Sequence, residues 1–162
     1  MIKRFSKVLV VGLLALSITI TATAPLKKEE VLKEAFYESI SWVESTKNPN
    51  AVSRDGSVGI VQIRPIMVKE VNRICDIKGI EKTFSLSDRR DITKSKEMFW
   101  IYQEFYNPEI NWETLSQKDL ETLARKWNGG PKGHIKKATE KYWNKVNKRL
   151  KHEIENVKLS SR

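Results

Sequence analysis

Glu44 is the residue in this sequence best placed to do chemistry. It lies four residues after Ile40 and seven after Tyr37, which keeps it on one side of a helix whose apolar stripe faces a core. It also stands at the C-terminal end of that helix, where the macrodipole is negative and opposes a carboxylate. Partial burial acts in the same direction, because desolvation disfavours the charged form. A carboxyl group still protonated near neutral pH can donate a proton to a leaving group. The alternative is a solvated glutamate on a helix rim, where charged side chains mostly sit. Cys75 is the only cysteine, which excludes an internal disulfide and a cysteine-based zinc site. With Ile74 and Ile77 beside it, Cys75 reads as a buried apolar filler, and no pattern ties His134 or His152 to it. The sequence offers no ligand cluster for a metal or cofactor.

The elements that must position Glu44 are mainly helical. Val31, Ala35, Phe36, Ser39, Ile40 and Val43 recur at three- and four-residue spacing, predicting a helix over 27–45 that Asn48-Pro49 stops. Residues 51–63 hold Gly56 and Gly59 within a short alternation, and they predict a hairpin or tight loop with short strands. Pro65 opens a second helix through about 75, and 76–91 is polar and irregular. A third helix is predicted over 93–106, with Met98, Ile101, Tyr102 and Phe105 inward, ended by Asn107-Pro108. Ser116 and Asp119 form a capping-box pattern for a fourth helix to about 125. Asn128-Gly129-Gly130-Pro131 reads as a turn, and a last helix runs over about 134–154. The aromatics Trp42, Trp100, Tyr102, Trp112, Tyr142 and Trp143 mostly sit at helical spacing, as core residues do. Tyr106 is the aromatic expected in a cleft, since it ends a helix just before the Asn107-Pro108 break.

Lys3, Arg4 and Lys7 precede an apolar run over 8–20 and a small-residue site, Ala22-Thr23-Ala24. That order predicts a secretory signal peptide over 1–24. The other reading is a retained anchor, for which the run is short and diluted by Ser17, Thr19 and Thr21. Both place the remaining chain, 25–162, outside the cytoplasm. The formal net charge is +10 over 162 residues, three units of it in 1–24, leaving +7 for the mature chain. A basic exported protein is drawn to polyanions, and the anionic polymers of a cell wall are the natural partner. The lysines are spread along the chain, and export points away from nucleic acid. A solvated face is the ordinary meaning of the basic last helix, with contact to anionic wall polymer or to a partner as the alternative.

Glu44-Ser45 is followed by Asn48-Pro49-Asn50-Ala51-Val52-Ser53 and then by Gly56-Ser57-Val58-Gly59-Ile60-Val61-Gln62-Ile63. Much later comes Ala124-Arg125-Lys126-Trp127-Asn128-Gly129-Gly130-Pro131. These blocks, in this order, resemble the soluble lytic transglycosylase family, whose domain is similar to goose-type lysozyme. The resemblance covers about residues 30–147. It implies a mainly α, lysozyme-like α+β domain, with a small β-hairpin beside the helix that carries the acid.

The resemblance also implies roles. Glu44 matches the family's catalytic acid, which protonates the oxygen between N-acetylmuramic acid and N-acetylglucosamine in peptidoglycan. The same glutamate, then ionised, takes a proton from the C6 hydroxyl, giving a 1,6-anhydro sugar. Ser45 matches the residue after the acid, either steadying the helix end or the carboxyl. Gln62 matches a glutamine that hydrogen-bonds sugar, and Asn128 an asparagine near the acid. Trp127 departs from the pattern, because the family usually carries tyrosine there; an indole offers only an N–H donor, or a face for a sugar ring. Asp55, Asp88 and Asp91 are the carboxylates available if the enzyme is instead a hydrolase that activates water, with Asp55 the nearest in sequence. The loss of the tyrosine leaves open a third reading, a wall-binding module without turnover. No cofactor or metal is implied.

Overall fold

The computed structural model describes residues 27–160, so the signal-peptide reading of 1–24 lies outside the described residues. The first helix, α1, spans Lys28–Ser45. Its start is secured by Glu29 and Glu30 in the first turn, with the Glu30 carboxylate accepting from the Lys27 backbone N–H at 3.1 Å. Val31, Ala35, Phe36, Ser39 and Ile40 are buried as their spacing predicts, and Tyr37 and Ser41 are buried as well. α1 is therefore covered on more than one side, which is why Ser39 and Ser41 turn their hydroxyls back onto the Ala35 and Tyr37 carbonyls. The helix ends before the Asn48-Pro49 pair, because Thr46 and Lys47 both take the left-handed conformation.

α2 runs Pro65–Lys78 and is capped by Gly79 at φ 65°, three residues beyond the helix expected from spacing. A 3₁₀ turn at Leu86–Arg90 leads into α3, Ile92–Tyr106, whose N-cap Asp91 accepts from the Lys94 backbone N–H at 2.9 Å. α4 spans Gln117–Gly129 and opens with the Ser116–Asp119 capping box. It outlasts its predicted end, because Asn128 and Gly129 stay helical and only Gly130, at φ 78°, breaks the path.

α5 is Glu140–Ser160, shorter at its start and longer at its end than expected. Arg125 explains the late start. Its Nε donates to Thr139 Oγ1 at 3.0 Å and its Nη2 to the Lys136 carbonyl at 3.1 Å, holding 133–139 in two 3₁₀ turns. α1 packs mainly on α5, and α4 also lies against α5. Glu153 of α5 is buried between Arg149, at 2.6 Å, and Lys47, which also reaches Glu38 at 2.6 Å. Cys75 is fully buried in the core formed with Val71, Ile74 and Phe84.

The small β element needs correction. No strand forms among the described residues; 51–63 contains only two isolated antiparallel bridges, Val52–Val58 and Val58–Ile63. Gly59 at φ 86° and Gln62 at φ 52° interrupt extended backbone, so pairing cannot propagate into a ladder. The loop is held from outside instead. Arg89 donates from Nη1 to the Gly56 and Ile63 carbonyls at 3.1 and 3.2 Å. The backbone of Gly59 lies so close to the Arg89 carbonyl that a Cβ there would collide with it.

Candidate active site

The end of α1, the 51–63 loop, α2, α3 and the 127–136 segment enclose a cleft of about 820 Å³. Glu44 reaches it from α1. The carboxyl is partly buried, and burial raises its pKa to about 7, while hydrogen bonding from Tyr142 and then Trp127 lowers it and nearby Asp55 raises it. The Tyr142 hydroxyl donates to Glu44 Oε1 at 2.7 Å. Burial lifts the Tyr142 pKa far above its ordinary value, so that hydroxyl stays a donor.

Gln62, Tyr106, Trp127 and Asn128 line the same cleft as Glu44. The left-handed backbone at Gln62 folds its side chain onto its own loop, where Nε2 donates to the Gly59 carbonyl at 2.9 Å. Tyr106 donates its hydroxyl to Glu70, which Arg73 grips through two further hydrogen bonds. Trp127 is 8 % exposed, with its ring centroid 4.7 Å from that of Phe99 and 5.8 Å from that of Tyr102. It lines the cleft while packed into this aromatic cluster, and it hydrogen-bonds Glu44. Asn128, next in sequence, is exposed.

Ser45 is the exception. It is absent from the cleft lining, and its hydroxyl donates to the Ile60 carbonyl at 2.8 Å while accepting from the Asn48 N–H at 3.0 Å. That bond ties the end of α1 to the loop and so fixes where Glu44 emerges. Asp55 does line the cleft, but its Oδ1 accepts from the Ser53 hydroxyl and from the Ser57 N–H at 3.3 Å. Those hydrogen bonds, from Ser53 and then Ser57, hold its pKa down at about 2. Asp88 pairs with Lys94 and Asp91 caps α3, and neither lines the cleft that holds Glu44.

Sequence spacing alone does not single out Tyr142. It shares a stripe with Val146 and Leu150 and so reads as core, and its one signal is a hydroxyl on an otherwise apolar face. Glu70, Met67, Arg64 and Lys136 also line the cleft without having stood out in the sequence. Among the described residues, no group of three or more His, Cys, Asp or Glu side chains is placed to hold a metal ion.

A mainly helical domain with a part-buried glutamate of raised pKa in a polar cleft is an arrangement suited to acid-assisted bond cleavage. The chain belongs to the transglycosylase SLT domain family, whose model matches residues 21–150. Membership brings a peptidoglycan-cleaving function of the lytic transglycosylase type, exercised at the cell wall. No curated protein matches the chain in sequence. No helix among the described residues is long and apolar enough to cross a membrane.

Proposed function

We propose that residues 25–162 form a lytic transglycosylase domain that cuts the β-1,4 bond between N-acetylmuramic acid and N-acetylglucosamine, leaving 1,6-anhydro ends, with Glu44 as acid and then base. Residues 1–24 serve as the export signal. The observation that carries this reading is the carboxyl of Glu44, set into the cleft with a pKa raised to about 7. At that value the group is populated in both protonation states near neutral pH, as a residue that first gives and then takes a proton requires.

In the first step Glu44 protonates the bridging oxygen, the bond from C1 of the muramoyl sugar breaks, and the glucosaminyl 4-hydroxyl departs. The substrate's own N-acetyl oxygen stabilises the positive charge at C1. In the second step ionised Glu44 takes the proton from the C6 hydroxyl as O6 bonds to C1. The glutamate ends protonated, as it began, and no water is consumed. Tyr142 keeps the carboxyl aimed through both steps, which offsets the absence of a tyrosine at Trp127 and argues against a module without turnover. Gln62, Tyr106, Trp127 and Asn128 contact sugar along the cleft, and Ser45 acts indirectly by anchoring the end of α1.

Hydrolysis is the second reading, because Asp55 faces the same cleft. A base for water works best with a pKa near the operating pH, and Asp55 is held at about 2 by donors that occupy it. Mass analysis of the sugars released from peptidoglycan decides between the two. Anhydro-muropeptides are the expected product; reducing ends would transfer the assignment to hydrolysis.

A further inference from the structure

The lysines are numerous throughout the chain, but the net charge is not spread with them. Residues 25–131 carry 17 basic and 17 acidic side chains, whereas 132–151 carry eight basic and one acidic, Glu140. The whole excess of the mature chain therefore falls in this one segment. Within it, Lys141, Lys145 and Lys148 follow at four- and three-residue spacing on α5, and all are exposed, as is Lys151 beside them. Their helix face is opposite the one that Tyr142, Val146, Leu150 and Glu153 bury against α1 and α4.

Among the described residues these four lysines form no ion pair, unlike Lys82, Lys94, Lys96 and Lys118, each of which meets a carboxylate. Lys141 to Lys151 spans about 15 Å at ~1.5 Å per residue. The stripe starts next to Tyr142, whose hydroxyl touches Glu44, so it leads away from the cleft.

From this placement we infer that the Lys141–Lys145–Lys148–Lys151 face of α5 is a docking strip for an anionic polymer attached to the cell wall, and that it holds the domain against its substrate. The inference rests on the peptidoglycan-cleaving reading for where the protein works, but uses none of the cleft residues. A row of unpaired lysines binds a polyanion mainly by releasing counterions, so the attachment is salt-sensitive and tolerant of the polymer's detailed chemistry.

The test uses the mature chain, as wild type and with Lys141, Lys145, Lys148 and Lys151 all changed to Gln. Binding is measured in a Glu44→Gln background by co-sedimentation with isolated walls, either intact or stripped of their anionic polymers. The expected result is that stripping weakens binding without the lysine changes at least tenfold, that moderate salt does the same, and that the lysine variant is insensitive to both. Circular dichroism and release of sugars from stripped walls, with Glu44 restored, should match wild type, which separates this proposal from a failure of the proposed enzymatic activity. Unchanged binding after stripping, or a lysine variant that keeps the sensitivity, overturns the proposal. So does tighter binding to vesicles containing anionic lipid than to intact walls.

Discussion

The hydroxyl of Tyr142, near the start of α5, lies 2.7 Å from the carboxyl of Glu44 at the end of α1, joining residues 98 apart in sequence. The packing of α5 on α1 brings them together and gives the Glu44 carboxyl a hydrogen-bond donor. Tyr142 opposes the effect of burial, because its hydrogen bond favours the ionised form.

The pH dependence of activity follows from that balance. In the proposed mechanism Glu44 must be protonated to act on the glycosidic oxygen, so kcat/KM should fall as pH rises through about 7. Tyr142→Phe removes a bond that stabilises the carboxylate, and should move this alkaline limb upward by about one unit while lowering the maximum rate. A limb that stays in place in the variant would mean the tyrosine does not tune the acid.

Stability carries the opposite face of the same shift. The folded-state pKa of Glu44 exceeds its unfolded value of 4.5, so the folded protein binds this proton more tightly. That contribution is fully present below 4.5 and is lost as pH rises through about 7. Glu44→Gln should therefore be more stable than wild type at pH 8, on the order of 1–3 kcal/mol, and close to it at pH 4. Urea unfolding at the two pH values measures this difference.

The 51–63 loop should be intolerant at Gly59. A methyl group there meets the Arg89 carbonyl, and the residue's φ of 86° is itself unfavourable for alanine. Gly59→Ala should cost about 2–4 kcal/mol in thermal or urea unfolding. Gly56→Ala also pays for positive φ but finds open space, so it should cost less.

Glu153 should matter for the same reason that Tyr142 reaches Glu44, since both depend on α5 docking onto α1. Its burial raises the pKa, yet Arg149, Asn156 and Lys47 outweigh that effect and hold the carboxyl ionised. Glu153→Ala should destabilise the fold by about 2–4 kcal/mol, less than for a lone buried pair, because Lys47 retains Glu38. Chemical denaturation of the variant provides the measurement.

Much of this arrangement is legible in the sequence because local signals specify it. The stripe from Val31 to Ile40, the Ser116–Asp119 box and the Asn107-Pro108 stop each act within a few residues and yield helices close to those observed. The 51–63 loop is less legible: its alternation suits strands, but the positive φ at Gln62, a residue type that does not announce one, prevents them. The start of α5 depends on Arg125 reaching across to Thr139 and Lys136, a tertiary contact that no periodicity reports. In the cleft, Glu44 and Gln62 stand out through the motif blocks, whereas Tyr142 is hidden in an apolar stripe and Ser45 faces away from the cavity.

The role of Glu44 is tested most directly by the rate at which Glu44→Gln releases sugars from purified peptidoglycan, beside wild type at neutral pH. Gln retains the shape and hydrogen-bonding capacity of the side chain but can neither give nor take the proton. The expected variant is properly folded, with a rate lower by about a thousandfold or more, the upper range for loss of general acid–base catalysis at two steps. A folded variant that keeps a tenth or more of the wild-type rate would remove Glu44 from the chemistry.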